Sequence, residues 1–351
     1  MAAPRKLLTN FDKALIIGIV LGVLGICLLT IVFYFIWVNP PAQRAEPTPF
    51  GGATATLDIS ASDLASTMAA GNVTATSTVG VPTPVSSFSD DAPLIGRIVF
   101  TCFIQQIDQI CIMNADGTDR KQVTYSDATS FYASLSPDGE TIFYSSRESG
   151  QFQIYSIRPN GKEFKRLTRV SGNFYAPQPS PNGEWVVMTK EGEGIWLMKP
   201  DGTNPHAITD KDDIDPTWSA DGSMIAFASS RSGSRQLFVM NADGSNIRQV
   251  TNLENMGGRS TWSPDGTKLA FYAGKEGDHN IYVINLDGTN LVQLTSGGDN
   301  LGPSWSPDGN WITFTSFRDG NNEVYVMHPD GTGVKNLTNN AGSDWQPRWG
   351  R

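Results

Sequence analysis

From Gly96 onward the chain repeats itself about every 43 residues, and few folds are compatible with that. An Asp-Gly or Asn-Gly turn recurs with its glycine at 117, 161, 202, 244, 288 and 331, in steps of 44, 41, 42, 44 and 43. An apolar residue followed by Thr keeps the same rhythm, with Thr124, Thr168, Thr209, Thr251, Thr295 and Thr338. A third marker, Ser-x-Asp/Asn-Gly, starts at Ser136, Ser180, Ser219, Ser263 and Ser306. Between markers lie short β-rich runs such as 141–144, 224–227 and 323–327. Glycine supplies the positive φ of a tight turn, and the Asp or Asn before it bonds its own backbone. The D-G pairs therefore read as scaffold, not as catalytic carboxylates.

Each unit holds four short strands, A to D. Strand A runs into S-P-D-G, B carries A-F, C carries I-Y-V-M, and D ends at L-T. Four antiparallel strands in about 40–45 residues make one propeller blade. The first unit opens on strand B at 97–100, and a lone strand A closes the chain at 346–349. The expected fold is all-β: a six-bladed β-propeller of four-stranded blades over residues 95–351, closed by its C-terminal strand.

Upstream, residues 14–38 form 25 consecutive positions without a charge. As a helix they would be about 37 Å long, enough for a bilayer core of roughly 30 Å. Arg5, Lys6 and Lys13 precede this run. The positive-inside bias then predicts a short cytoplasmic N-terminus (1–13), a transmembrane signal-anchor helix (14–38) and an extracytoplasmic body. A cleaved signal peptide is the competing reading; its apolar core would be shorter. Residues 39–94, rich in Ala, Thr, Ser and Pro, read as a flexible tether.

The recurring W-S-P-D-G, A-F, I-Y-V-M-N-A-D-G and L-T resembles the WD40-like (PD40) repeat of the TolB propeller family. The motif is fullest at 262–266, 305–309 and 241–244. The resemblance implies the propeller fold over about 96–351. It also implies an envelope setting, since TolB itself works with a lipoprotein and other envelope proteins. TolB carries a further N-terminal domain, where this chain has the apolar run and tether. Related propellers precede serine-peptidase domains; no such domain is expected here, and no G-x-S-x-G elbow occurs in these residues.

Function is less legible than fold. Lys and Arg total 26 against 35 Asp and Glu, a net charge of -9, which gives no basic footprint for nucleic acid. Only three His and three Cys are present. No His, carboxylate and nucleophile set can be assembled from spacing, so no catalytic residue, metal ligand or cofactor is assigned. Enzymatic status stays open, with binding favoured over chemistry. The D–A loops rim the channel and vary most between units, which marks them as recognition loops. Tyr132, Tyr175 and Trp345 offer flat surfaces there. Asp213, Asp215, Asp299 and Asp344 suit cationic groups, and Arg259 is the one evident positive charge. Each residue also reads as part of a solvated polar rim. Arg147, Arg231 and Arg318 recur after strand B and are expected in structural ion pairs or hydrogen bonds.

Cys27 falls in the apolar run. Cys102 and Cys111 fall on adjacent strands, where a disulfide or two free thiols both fit. The leading expectation is a membrane-tethered extracytoplasmic module that binds an envelope or extracellular protein, peptide or glycan. The alternatives are a hydrolase or lyase with a metal-assisted site at the channel mouth, and a structural assembly protein.

Overall fold

Two faces of every central strand must be covered, because the apolar runs here are continuous instead of alternating. The computed structural model, which describes residues 88, 89, 91–210 and 212–351, meets that demand with six four-stranded sheets. The first holds β1 (Arg97–Ile104), β2 (Ile107–Asn114) and β3 (Lys121–Gln122). The second holds β4 (Ser130–Leu135), β5 (Ile142–Ser146), β6 (Gln153–Ile157) and β7 (Lys165–Arg166). The third runs from β8 (Phe174–Pro179) through β9 (Val186–Lys190) and β10 (Gly194–Met198) to β11 (His206–Ala207). In the fourth are β12 (Ile214–Trp218), β13 (Met224–Ser229), β14 (Gln236–Asn241) and β15 (Arg248–Gln249). The fifth has β16 (Met256–Trp262), β17 (Lys268–Lys275), β18 (Asp278–Asn285) and β19 (Val292–Gln293). The sixth has β20 (Asn300–Trp305), β21 (Ile312–Ser316), β22 (Glu323–Met327) and β23 (Lys335–Asn336). The last strand, β24 (Asp344–Gly350), joins the first sheet beside β1.

The core is six separate clusters, one between each pair of neighbouring blades. Ile98, Phe100 and Met113 of the first blade pack on Trp311, Val324 and Val326 of the sixth, which brings the two ends of the repeat together. The ring therefore holds by side-chain packing. The six sheets remain separate and are not joined into one hydrogen-bonded cylinder, which corrects the simplest form of the expected closure. What β24 closes is one sheet: Ile98 pairs with Trp349 and Arg97 with Gly350.

The repeat markers acquire specific jobs. In all six blades the L-T threonine hydroxyl accepts the backbone N–H of a strand-C residue at 2.9–3.0 Å, as Thr124 does from Ile110 and Thr209 from Ile195. In S-A-D-G, Asp221 accepts from the Ser219 hydroxyl and from the Ser223 N–H. The C–D turn glycine also meets the preceding blade. A Cβ on Gly244 (φ 85°) would lie 2.5 Å from the Ile208 carbonyl oxygen. The D-G motif is thus an inter-blade contact as well as a turn. Cys102 and Cys111 form a disulfide across β1 and β2, with Cα atoms 5.8 Å apart.

The transmembrane helix expected over 14–38, with the N-terminal segment and tether around it, lies outside the described residues. Every described element is a strand of two to eight residues, and no helix among the described residues is long and apolar enough to cross a membrane. The described residues therefore lend the membrane-anchored, single-pass reading no support, and it is not carried further.

Candidate functional site

The innermost strand of each blade breaks its register once. Shifts fall between Phe131 and Ser134, Tyr175 and Gln178, Ile214 and Thr217, and Leu301 and Ser304, with counterparts in β16 and where β1 pairs with β24. A bulge re-aims side chains that a regular strand would send elsewhere. Five bulge residues at one repeat position hold positive φ: Tyr132 (57°), Ala176 (52°), Asp215 (54°), Gly302 (55°) and Gln346 (54°). In the fifth blade that position is Arg259, after Gly257 and Gly258. Those glycines make room. A Cβ on Gly258 would lie 2.3 Å from the Asp215 carboxylate, and one on Gly257 would lie 2.2 Å from the Tyr272 ring.

Three of the rim residues meet at this level. The Arg259 guanidinium lies over the Tyr132 ring, 5.2 Å from its centroid, and donates to the Gln346 carbonyl at 3.4 Å. The Gln346 side chain in turn accepts the Tyr132 backbone N–H at 3.2 Å. One layer along the same strand, Arg348 donates to the Ser260 carbonyl at 3.2 Å. Arg259 is 4% exposed and Arg348 7%. Burial pushes the Asp215 carboxyl up, against the pull of Arg259, Arg348 and Arg235. The Asp215 charge, then burial, raises the Tyr132 phenol. Burial lowers both arginines, but a guanidinium starts so far above neutrality that both stay charged at pH 7.

The other rim residues are committed elsewhere. Asp213, with 0% exposure, pairs with Arg231 at 2.6 Å, and the equally buried Asp344 pairs with Arg120 at 3.0 Å. Arg318 bonds Asn300 at the position equivalent to Asp213, so the recurring arginines are structural. Arg147 bonds the Gly150 carbonyl. Asp299 accepts from the His279 backbone N–H and faces its Nδ1 at 2.6 Å. Tyr175 packs on Phe131 and Phe152, and Trp345 lies beside Asp108, whose carboxyl burial pushes up. Among the described residues no group of three or more His, Cys, Asp or Glu is placed to hold a metal ion. The metal-assisted alternative therefore lacks its ligand set, because the ring spreads these carboxylates into separate pairs.

A cavity of about 460 Å³ opens on the opposite mouth, among the S-x-D-G turns. All six blades line it. The walls are Trp218, Trp262, Trp305 and Trp349 with turn prolines such as Pro137 and Pro264; Arg348 lines it too. Trp218 and Trp262 are fixed by indole N–H bonds to the Gln178 and Thr217 carbonyls. Sequence reasoning missed Arg348, Gln346 and Tyr272. A signal for the first existed: the residue before the Trp of W-S-P-D-G is Ser134, Gln178, Thr217, Thr261, Ser304 and Arg348 across the units, and only one is charged.

The profile of the family described as PD40, TolB beta propeller domain, matches residues 66–209, 171–257 and 247–351. A protein TolB homolog of Chlorobium luteolum is 35% identical over 149 residues, covering 41% of this chain and 34% of that protein. The uncharacterized protein Atu1656 of Agrobacterium fabrum is 29% identical over 149 residues, covering 38% of this chain and 51% of that protein. The matched stretches thus span between a third and about half of these relatives' own length. The crystal structure of TolB from Acinetobacter baumannii superposes with a TM-score of 0.65 at 24% identity, covering 72% of this chain and 66% of that one, which speaks for the fold alone. With the repeat, the six blades and the profile in agreement, the chain belongs to the TolB β-propeller family.

Proposed function

We propose that the propeller is a recognition module without chemistry of its own, which seats a protein, peptide or glycan in the mouth framed by the S-x-D-G turns. One observation carries this reading: a single cavity of about 460 Å³ is walled by side chains from all six blades. Such a concavity is rigid before any ligand arrives, so little ordering is needed on binding. Of the rim residues, Tyr132, Asp215 and Arg259 belong to the same channel and back the mouth from inside. The histidines support binding over catalysis because each serves locally. His328 stacks on Trp311 at 3.8 Å, His279 faces Asp299, and His206 lies edge-on to Trp185.

Ala220 is exposed, lines the mouth and stands where other units carry proline. Ala220→Trp should therefore fill the mouth while leaving the buried clusters between blades intact. With the full chain immobilised, wild type should recover a specific partner from an envelope extract, Ala220→Trp should not, and Tyr125→Ala, distant and exposed, should. Equal recovery by Ala220→Trp and wild type would sink the proposal.

A further inference from the structure

The channel behind this mouth carries an imbalance of charge. Arg259 and Arg348 bring two guanidinium groups, and Asp215 the one nearby carboxylate. Elsewhere buried charges are met by partners: Asp213 pairs with Arg231 and Asp344 with Arg120, and Glu323 accepts hydrogen bonds from Asn321, Thr338 and Asn340. Among the described residues, neither Arg259 nor Arg348 has a carboxylate within ion-pair distance. Asp215 instead lies against the backbone of Gly258 and Arg259.

The donors are equally underused. A guanidinium offers five N–H groups. Arg259 makes one long bond to Gln346, and its Nε is buried with no partner. Arg348 makes one bond, to Ser260, and borders the open cavity. Buried charges without partners are unfavourable, and proteins keep them mostly where a ligand completes them.

We propose that Arg348, supported by Arg259, binds the carboxylate of a ligand whose apolar body packs against the tryptophans and prolines of the mouth. A planar carboxylate accepts two parallel bonds from a guanidinium, which a single hydroxyl or amide oxygen cannot do. The Trp and Pro walls suit an apolar body better than a hydrated inorganic ion. A peptide's C-terminal carboxylate and an acidic side chain next to an apolar one share this chemistry. Asp215 is then the internal competitor, drawing on the same two cations. The inference rests on the reading that the mouth is a binding site, and adds the charge of what enters.

The test uses the full chain and 4-phenylbutyrate as probe, with its neutral amide and inorganic phosphate as controls, read by calorimetry and tryptophan fluorescence. The carboxylate should bind saturably, and the amide about tenfold or more weakly. Arg348→Gln should lose about tenfold or more. Asp215→Asn should bind about three- to tenfold more tightly, a gain that misfolding cannot mimic. Equal affinity for acid and amide, no binding by folded wild type, or weaker binding by Asp215→Asn each overturns the proposal. Phosphate binding more tightly than phenylbutyrate overturns it as well, in favour of a small inorganic anion. A Leu-Phe dipeptide with a free C-terminus, its amide, and an amidated Asp-Phe then distinguish the two carboxylate sources. Partner recovery that survives Arg348→Gln but not Ala220→Trp would overturn the carboxylate and leave the binding module standing.

Discussion

The turn carboxylates and the channel carboxylate are the same residue type in opposite circumstances. Asp116, Asp138, Asp201, Asp221, Asp243, Asp265 and Asp287 lie in turns, and hydrogen bonds from a neighbouring hydroxyl and N–H hold each below the usual range. Asp215 has the Thr189 hydroxyl at its backbone N–H, and burial pushes its carboxyl up. The first group repeats because each member solves a local problem of chain geometry. The second is unique because six blades converge on one axis, and only one side chain can occupy each place around it. Repetition in this molecule builds the scaffold and the walls of the mouth, and departure from repetition supplies the charged residues proposed to select what enters it.

Substitutions on the two sides should therefore differ in sign as well as size. Gly244→Val combines a positive φ with a clash against the Ile208 carbonyl, and should lower unfolding free energy by about 3 kcal/mol in urea titration. Reducing the Cys102–Cys111 disulfide, which joins residues 9 apart in sequence, should lower it by about 2.5 kcal/mol without abolishing the fold. Arg348→Met removes a buried cation that lacks a carboxylate partner, and should raise stability by about 1 kcal/mol while ending carboxylate binding. A comparable loss of stability would mean that the channel is scaffold too. Asp221→Ala, exposed and screened by water, should cost about 0.5 kcal/mol or less.

The pH dependence is the subtlest expectation and separates the two classes directly. A turn Asp with a lowered pKa contributes stability above its unfolded value near 3.9, and that stability is lost as pH falls through the folded value. Asp215, with a raised pKa, works the other way: its ionisation weakens the fold as pH rises through the folded value. It is faced by Arg259, Arg348, Arg235, Tyr132 and Tyr272. Asp344 and Asp108 are also raised by burial and act in the same direction. Acidification from neutrality should first add stability and then, below about pH 4, remove it. Asp215→Asn should shrink the first phase and leave the second, as followed by urea unfolding across pH. An unchanged first phase would show that Asp215 does not titrate in that window.

Most of the fold was legible because its signals are short-range. Asp221 bonds Ser219 and Ser223, within two residues on either side, and Thr124 reaches Ile110 within one hairpin. The site was only partly legible because its signals are not. Tyr132 and Arg259 are 127 residues apart, and nothing local to either announces the other. Asp213 and Asp344 had the right type and loop for recognition, yet Arg231 and Arg120 neutralise them in the fold. Composition shows that a carboxylate exists, but only packing shows whether it is already satisfied. Arg348 sat in a strand that reads as scaffold, and its meaning depended on comparing one column across six units.

That strand gives binding a second consequence. Arg348 enters the channel only when β24 pairs with β1, a contact that joins Ile98 to Trp349 across 251 positions. Until those last residues dock, the mouth lacks one of its cations. A ligand that grips Arg348 therefore favours the docked strand by mass action, and occupancy becomes a report on whether assembly has finished. During synthesis the same order leaves a half-made propeller with Arg259 but without Arg348, so the proposed carboxylate site is incomplete until β24 is in place.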